Sequence, residues 1–345
     1  MKRYLKIGLL TLLGLGACQS HTAPPLEDSG ADTDIDSGAQ IPENNVNATE
    51  PLEENSSNTG TQFSTTAPQS TGEAQHPELT EISGLTSSTR QSNTFWAIND
   101  SGNKAKLYAL KHTGESIGSW IVNETNRDWE DMASAWINGE SYLFIADIGN
   151  NTTREMEYRI HVLSEPLLDS ERGAKLNSIH TIRFVYPDGN YNSESMSVAD
   201  GWIYILTKQG IKNNQRQASR VYRLPLQLSG QDGIVTAEYI GSLAIPNTSV
   251  EAGLIASLSG VDITQPTAFD IDQQNRHAYV LTYRSVYRYT RNDDQTWAEI
   301  FPQLRNRVHT HSLSQAEALA VASNGVIWFT TENRPAPLWA LPAAN

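Results

Sequence analysis

Carboxylates with the capacity for chemistry recur in short polar phrases between residues 99 and 332. One set comes at the beginning of apolar runs: Asp128, Glu130, Asp131, Glu194 and Glu317. A second polar set comes at the end of such runs: Asn99, Asp100, Asp147, Asn150, Lys208, Tyr283 and Glu332. Asp147, Glu130, Glu194 and Glu317 are candidate ligands for Ca²⁺, which prefers several oxygen ligands. In a catalytic site, Glu194 or Glu317 could act as general base, and Lys208 could stabilise an anionic oxygen.

The elements that carry these residues are short runs of β-branched and aromatic residues, broken by Gly, Asn, Asp and Pro. The runs repeat in five units, which begin near Ile82, Trp129, Ser193, Ala268 and Ala316. Each unit has three runs, and in four units a fourth strand is predicted, at Ser116–Val122, His180–Tyr186, Ala237–Ile245 and Thr296–Phe301. Four strands per unit, at a spacing of about 45–65 residues, are typical of a β-propeller.

The predicted fold class is therefore all-β, a β-propeller of four-stranded blades that follows a disordered linker. We count five blades, and the stretch of residues 243–264 leaves room for a sixth. The segment before Ile82 is predicted to supply the outer strand that the last unit lacks. A pair of sandwiches or a β-helix is the alternative, but sandwich strands would not restart on the same phrase five times.

The propeller geometry predicts where the polar phrases meet. The first strand of a blade lines the central channel and the second runs antiparallel to it, so the start of one and the end of the other lie at the same rim. Both polar sets should therefore gather at one mouth of the channel, where clustered like charges favour a cation or a bound proton. The alternative is structural: such phrases are also ordinary turn sequences, and inner-strand carboxylates can accept hydrogen bonds from neighbouring blades.

The phrases Trp96–Gly102, Asp128–Asp131 and Ala146–Asn150 resemble those of secreted bacterial β-propeller proteins described as TolB-like or phytase-like. The resemblance covers nearly all of residues 79–345, and most members of this family have no assigned activity. It implies a propeller and, by way of the phytase-like members, Ca²⁺-dependent hydrolysis of phosphoesters or lactones. The chain departs from the family at Ile98, where relatives often have His, and at Asn150, where they often have Asp.

The N-terminal residues predict a location. Three basic residues precede an apolar stretch that ends in Leu15-Gly16-Ala17-Cys18, and Cys18 is the only cysteine. This run resembles the signal sequence and lipobox of bacterial lipoproteins, which implies cleavage before Cys18 and its acylation, for example with palmitate. Residue 19 is Gln rather than Asp, which by the same resemblance favours the outer membrane, on its periplasmic or surface face. The predicted organisation is a signal peptide (1–17), a lipidated Cys18 with a disordered acidic linker (18–75) and a β-propeller (76–345).

The net charge of the chain limits the classes of partner that it could bind. The formal net charge is −14 at pH 7, which argues against nucleic acid and anionic lipid head groups as partners. Basic residues that would grip a polyphosphate are sparse at the predicted mouth. We therefore expect a monomeric cell-envelope lipoprotein, held by its lipid anchor, whose mouth binds a carbohydrate, a peptide or an envelope protein. The alternative is a Ca²⁺-dependent propeller hydrolase that acts on phosphoesters or lactones.

Overall fold

The structure is a computed structural model that describes residues 67–152, 154–169, 173–208, 211–212, 215–230, 233–245 and 263–342. For residues 211–212 and 215–216 it describes the backbone only. The predicted signal peptide, Cys18 and nearly all of the predicted linker lie outside the described residues. Among the described residues, no helix has both the length and the apolar character needed to cross a membrane.

The described residues form twenty-four strands and one short helix. The first twelve strands are β1 (Gln69–Glu73), β2 (Ile82–Ser87), β3 (Thr94–Asn99), β4 (Lys106–Lys111), β5 (Ser116–Val122), β6 (Trp129–Ile137), β7 (Glu140–Asp147), β8 (Tyr158–Ser164), β9 (Lys175–Leu176), β10 (His180–Val185), β11 (Ser193–Ala199) and β12 (Trp202–Thr207). The others are β13 (Ile211–Lys212), β14 (Gln215–Arg216), β15 (Arg220–Pro225), β16 (Ile234–Thr236), β17 (Glu238–Ser242), β18 (Pro266–Ile271), β19 (His277–Thr282), β20 (Ser285–Thr290), β21 (Asn306–Thr310), β22 (Ala316–Val321), β23 (Ile327–Thr331) and β24 (Pro337–Leu341). The helix α1 (Trp297–Ile300) lies between β20 and β21.

These strands form a five-bladed β-propeller, as the sequence predicts. The blades, from the inner strand outward, are β2-β3-β4-β5, β6-β7-β8-β10, β11-β12-β15-β17, β18-β19-β20-β21 and β22-β23-β24-β1. The inner strands contact one another in this order, and β22 returns to β2, so the ring is closed. Two blades carry a short fifth strand in parallel pairing at the outer edge: β9 joins β5, and β16 joins β10.

The ring closes through the strand that comes first in the chain. β1 pairs antiparallel with β24, the third strand of the last blade, as predicted for the segment before Ile82. The closing strand also contacts the first blade, since the backbone N–H of Gln75 donates to the carbonyl of Gly114. Gly72 lies so close to that turn that a Cβ would stand 2.1 Å from the carbonyl oxygen of Thr113. The propeller therefore begins before residue 76, inside the segment predicted as linker.

One predicted strand is wrong. The segment Thr296–Phe301, predicted as the outer strand of the fourth blade, contains α1, and the outer strand is β21. Thr296 and Glu299 form a capping box, in which the Glu299 carboxylate accepts a hydrogen bond from the Thr296 backbone N–H at 2.7 Å. Such a cap satisfies N–H groups at the start of a helix, while Trp297 and Ile300 bury their side chains against the blade.

The core lies between neighbouring blades. Between the second and third blades, Ile160 and Phe184 pack in one apolar cluster with Ile203 and Tyr222. Similar clusters fill the other gaps, including the one between the last and the first blade. Each fully buried large side chain contributes about 1.5–3 kcal/mol, so this packing holds the inner strands, and the residues at their ends, at fixed positions around the channel.

Candidate functional site at the channel mouth

Every inner strand carries a β-bulge at its beginning, and the extra residue lies at the same place in all five blades. The pairing with the second strand shifts around this residue in each blade. The five bulged residues are Ser83, Glu130, Glu194, Thr267 and Glu317. A bulge can re-aim a side chain beside a functional site. The repeated bulge therefore defines a ring of five positions, three of them glutamates, at one end of the channel.

The two hydroxyl residues of this ring connect blades. The Ser83 hydroxyl donates to the carbonyl of Trp129 in the next blade at 2.8 Å, and the Thr267 hydroxyl donates to the carbonyl of Ala316 at 2.6 Å. These two positions are thus occupied by structural hydrogen bonds. The three glutamates, in contrast, point their carboxylates at side chains of the mouth.

A second ring comes from the residues that directly follow the second strands: Asp100, Ile148, Lys208, Tyr283 and Glu332. Because the first and second strands are antiparallel, this ring lies at the same end as the bulged glutamates. For these residues, the backbone therefore brings the two polar sets together at one mouth of the channel, as predicted. Only the second blade places an apolar residue, Ile148, in this ring.

Three carboxylates come together on one side of the mouth. One oxygen from each of Asp100, Asp128 and Glu130 lies within 4.8 Å of the others. Burial raises the pKa of Asp100 to about 7, and the nearby carboxyl of Asp128 adds to this effect. Burial likewise raises the pKa of Glu130 well above its usual value, with further contributions from Glu194 and Asp100. This group, which we call the acid triad, therefore disfavours full ionisation unless a cation binds.

The acid triad has its space because residue 149 has no side chain. A Cβ on Gly149 would stand 2.1 Å from a carboxylate oxygen of Glu130 and 2.5 Å from one of Asp128. The backbone N–H of Gly149 also donates to the carbonyl of Asp128 at 3.1 Å, which fixes the start of β6 against this loop. Glycine at this position thus lets the loop backbone approach the carboxylates closely.

An ion pair lies beside the acid triad. The Lys208 ammonium contacts the carboxylate of Glu194 at 2.9 Å and lies 5.3 Å from the ring centroid of Tyr283. Burial opposes the charge of Lys208, but the negative charge of Glu194 outweighs this effect, with smaller contributions from Tyr283 and Glu317, and the pKa of Lys208 lies well above its usual value. The other oxygen of Glu194 accepts a hydrogen bond from the amide of Asn192 at 2.7 Å. Lys208 is thus a fixed positive charge in a mouth that otherwise carries acids.

The third glutamate belongs to a separate group. The Tyr283 hydroxyl donates to Glu317 at 3.0 Å, and the Gln315 amide donates to Glu332 at 3.3 Å. Burial raises the pKa of Glu317 to about 8, with the Lys208 charge opposing and the Glu332 charge adding. Burial also raises the pKa of Glu332. Near neutral pH, Glu317 therefore holds its proton for much of the time and can donate a hydrogen bond to a ligand.

Asp147, a predicted Ca²⁺ ligand, is used inside its own blade. Its carboxylate pairs with Arg127 at 2.7 Å and accepts the backbone N–H of Asp128 at 2.9 Å. Although burial alone would raise it, the nearby His161 ring and the hydrogen-bonded, positively charged Arg127 hold the pKa of Asp147 below its usual value. The structure does not bring Asp147 into the acid triad. Of the predicted ligand set of Asp147, Glu130, Glu194 and Glu317, the triad contains Glu130 alone.

Asn99 and Asn150, predicted to bind ligand, hold loops instead. The Asn99 side-chain oxygen accepts the N–H groups of Thr80 and Glu81 at 3.1 Å each, and its amide donates to the carbonyl of Glu78 at 2.7 Å. Asn150 repeats this arrangement in the next blade, where its oxygen accepts the N–H groups of Arg154 and Glu155. The side-chain hydrogen-bonding capacity of both residues is thus used within the fold.

Asp131 lies deeper in the channel than the acid triad. Its two oxygens accept the backbone N–H groups of Met132 and of Met196 in the next blade, each at 2.8 Å. Asp270, which sequence reasoning missed, is its counterpart, because it accepts the N–H groups of Ile271 and Val321. Asp131 therefore plays the structural role that the alternative sequence interpretation allowed for inner-strand carboxylates.

Sequence reasoning also missed Asn192, Gln315 and Gly149. A signal for the first two exists, since Asp128, Asn192 and Gln315 each stand two residues before a bulged glutamate. In three blades the mouth is thus marked by the same three-residue pattern: an Asp, Asn or Gln, then any residue, then Glu. The second blade is the one that carries an acid at the first of these positions, which is why the triad forms there. For Gly149 the sequence offers only a glycine in a turn.

The donors of the acid triad fit a hard divalent cation. Three carboxylates offer the oxygen ligands that Ca²⁺ prefers, and no cysteine is available in the described residues as a soft ligand. Burial raises the pKa values of Asp100 and Glu130, and the neighbouring carboxylates raise them further, so a bound cation would favour the ionised forms of these acids. The residues present therefore suit Ca²⁺ at the triad, with Glu194 held by Lys208 at its side.

Comparisons with known proteins give a likeness to solved structures alone. No protein-family model matches the sequence, and no curated protein matches it. Two structures of glucose dehydrogenase are each 11% identical, cover 81% of this chain and 100% of their own, and have TM-scores of 0.43 and 0.41. A protein provisionally assigned as a 6-phosphogluconolactonase from Bacteroides uniformis is 11% identical, with 74% of this chain and 66% of its own covered and a TM-score of 0.35. None of these likenesses bears on activity.

Proposed function

We propose that this protein is a lipid-anchored protein of the cell envelope whose channel mouth holds a divalent cation, in particular Ca²⁺, and binds an oxygen-rich ligand beside it. The ligand is a carbohydrate, a peptide or an envelope protein. The observation that carries the proposal is the acid triad, whose three oxygens lie within 4.8 Å of one another. The anchor at Cys18 and the outer-membrane location rest on the N-terminal sequence and are part of the proposal.

The arrangement around the triad supports ligand binding next to the cation. Lys208 and Glu194 form an ion pair that presents both charges to the mouth, and Tyr283 places a ring beside it. A bound cation would balance the triad and leave coordination positions for hydroxyl, carbonyl or carboxylate oxygens of a ligand. Glu317 and Glu332 would accept or donate further hydrogen bonds on the other side.

The test is a calorimetric titration of the full chain, purified in detergent and stripped with chelator, with Ca²⁺. We expect one binding event per chain that is lost in the double variant Asp100→Asn with Asp128→Asn. The control is Glu238→Gln, which removes an acid on an outer strand that pairs with Arg223 and should leave binding unchanged. Absence of binding in the unaltered chain, or equal binding in the double variant, would contradict the proposal.

A Ca²⁺-dependent hydrolase is the second candidate function. The observation that favours it is the pKa of Glu317, raised by burial to about 8, which makes this residue a proton donor near neutral pH. Glu194 lies beside Lys208 and could act as the complementary base, while Lys208 would stabilise an anionic oxygen. A bound divalent cation would supply a lowered pKa for a water molecule.

The hydrolase reading has its own experiment. The full chain would be assayed with Ca²⁺ on 4-nitrophenyl phosphate and on a δ-lactone, beside the double variant Glu194→Gln with Glu317→Gln. If the mouth is catalytic, the double variant keeps its fold by circular dichroism and loses all turnover. Turnover that survives in this variant would place the catalysis elsewhere, and no turnover on either substrate would leave the binding function as the proposal.

A further inference from the structure

The channel also has a depression at the end opposite to the mouth. The inner strands begin at the mouth, so their last residues and the turns that follow lie at the far end. These residues line a cavity of about 700 Å³, which we call the distal cavity, and its volume is within the range of small-molecule sites, about 300–1,000 Å³. The walls include apolar side chains of three blades, among them Ile137, Leu226 and Ile271.

One wall of the distal cavity is an exposed tryptophan. Trp136, near the end of β6, is 56% exposed, and no other tryptophan of the described residues has a comparably exposed side chain. A large indole left in water is unfavourable, and aromatic rings with one polar end are common at binding surfaces. Trp136 thus brings exposed aromatic surface to the lining of this cavity.

Three exposed polar side chains share the distal cavity with this tryptophan. Asn138, Asp200 and Gln273 all line the distal cavity, and in the described part of the chain none of them has a side-chain hydrogen bond. Asn138 and Asp200 have φ angles of 51° and 54° and are each followed by a glycine with positive φ, which is the geometry of tight two-residue hairpin turns. Short turns of this kind hold their side chains at fixed positions on the rim.

The charge of the lining selects among ligands. No Lys or Arg lines the distal cavity, whereas Asp200 and Asp272 do. Asp272 is already engaged, because its carboxylate accepts the backbone N–H groups of Arg276 and His277 at 2.7 and 3.1 Å. An anionic ligand would therefore meet negative charge with no cation to balance it, which costs free energy. A neutral ligand with many hydroxyl groups and an apolar face fits better.

We propose that the distal cavity binds a neutral oligosaccharide. The C–H face of a sugar ring would lie on the indole of Trp136, and its hydroxyl groups would exchange hydrogen bonds with Asn138, Asp200 and Gln273. This site lies at the other end of the channel from the acid triad and does not depend on it. The protein would then bind ligands at both ends of its channel, the distal one without a cation.

The experiment is saturation-transfer-difference NMR on the full chain in detergent, in chelator. The probes are neutral tetrasaccharides (cellotetraose, maltotetraose, laminaritetraose and chitotetraose) and, for comparison, tetragalacturonate. We expect at least one neutral tetrasaccharide to bind, with transfer to its ring protons, and tetragalacturonate not to bind. Trp136→Ala should weaken binding at least about tenfold, in line with loss of an aromatic contact at a binding site, whereas Trp136→Tyr should retain most of it.

Two further variants separate the proposal from its rivals. Asp200→Asn keeps hydrogen-bonding groups and should largely keep sugar binding, but it would abolish binding of tetramethylammonium if the cavity were a site for organic cations. The control is Glu157→Gln, which removes an acid that pairs with Arg183, and it should bind the sugar unchanged. The proposal is overturned if no neutral tetrasaccharide binds at millimolar concentration, if Trp136→Ala binds as well as the unaltered chain, or if tetramethylammonium binds in their place.

Discussion

Neighbouring acids on the same strand serve different purposes at the mouth and inside the channel. Asp131 is one residue after Glu130 in β6, yet both of its oxygens accept backbone N–H groups from its own blade and the next. Glu130 instead lies among other carboxylates at the mouth. Both have raised pKa values through burial. The partners of a buried acid therefore separate a structural role from a binding role, whereas its pKa does not.

The channel acids follow from the closed ring. The inner edge of each inner strand faces the channel, where no further strand pairs with its backbone N–H groups. A buried N–H group without a hydrogen-bond partner is costly. Asp131 and Asp270 meet these groups from neighbouring blades, as the bond from Val321 to Asp270 at 2.8 Å illustrates. Among the described contacts of the mouth glutamates, the partners are side chains instead: Lys208 and Asn192 for Glu194, and Tyr283 for Glu317.

The largest effect is expected from Asp131→Ala. Removal of the carboxylate leaves the buried N–H groups of Met132 and Met196 without their acceptor, at a cost of about 1–3 kcal/mol for each group. The urea midpoint of unfolding should fall strongly, and Asp270→Ala should behave in the same way. A midpoint close to that of the unaltered chain would remove the distinction between the two kinds of acid.

Glu130→Gln is expected to act on binding and not on folding. It removes one oxygen donor with negative charge from the triad and relieves repulsion, so the unfolding midpoint should stay or rise. Calorimetric Ca²⁺ affinity should fall by more than about 100-fold, beyond the effect typical of outer partners of a metal. Glu317→Gln is the matched control, since Glu317 pairs with Tyr283, and it should change the affinity much less. Equal losses of Ca²⁺ affinity in the two variants would mean that the cation contacts Glu317 as well as the acid triad.

Gly149→Ala should give a smaller effect of the same kind. The added methyl would stand 2.1 Å from a Glu130 oxygen and 2.5 Å from an Asp128 oxygen, so at least one carboxylate must move. We expect about a tenfold loss in Ca²⁺ affinity, the lower end of the range for groups that orient ligands. Gly230→Ala is the control, because its nearest neighbours are 3.5 Å away or more. If both variants bind Ca²⁺ equally well, the close approach at Gly149 has no role in the site.

The sequence predicts the fold well because the repeat is local. Each blade restarts on a polar phrase before a β-branched run, so the number of blades and the end of the channel that gathers the acids could be read in advance. The exception, α1, arises where Thr296 and Glu299 form a capping box in an apolar segment. A helix of four residues leaves too little periodicity to distinguish it from a strand.

The candidate site was predictable only at the level of its neighbourhood. Residue type and position predicted that Asn99, Asn150 and Asp131 lie near Asp100 and Glu130. They did not predict which of these side chains would accept hydrogen bonds from backbone N–H groups. Those donors come from residues such as Met196, 65 positions away from Asp131, and from loops whose path depends on tertiary contacts. The absence of a side chain at Gly149 matters for the same reason, because its neighbours are brought there by the fold.

The smallest effect concerns pH and the third glutamate. The pKa of Glu317 is raised by burial from 4.5 to about 8, so between these values the folded state binds more protons than the unfolded state. Its contribution to stability is therefore present at low pH and lost as the pH rises towards 8. His311 has the opposite sign, because burial lowers its pKa from 6.5 to about 4, and its contribution is complete above pH 6.5.

The window from pH 6.5 to pH 8 therefore lies above the titration of His311 and contains much of the titration of Glu317. In chelator, the melting temperature of the unaltered chain should fall across this window, and in Glu317→Gln it should fall by about 2–4 °C less, the shift expected for ~1 kcal/mol in a domain of this size. Ca²⁺ should reduce the fall in both, since it binds the ionised triad. Because the pKa of Asp100 is about 7, the melting temperature of the Glu317→Gln variant should still fall somewhat with rising pH. A variant with the full slope of the unaltered chain would assign the pH dependence to the channel acids instead.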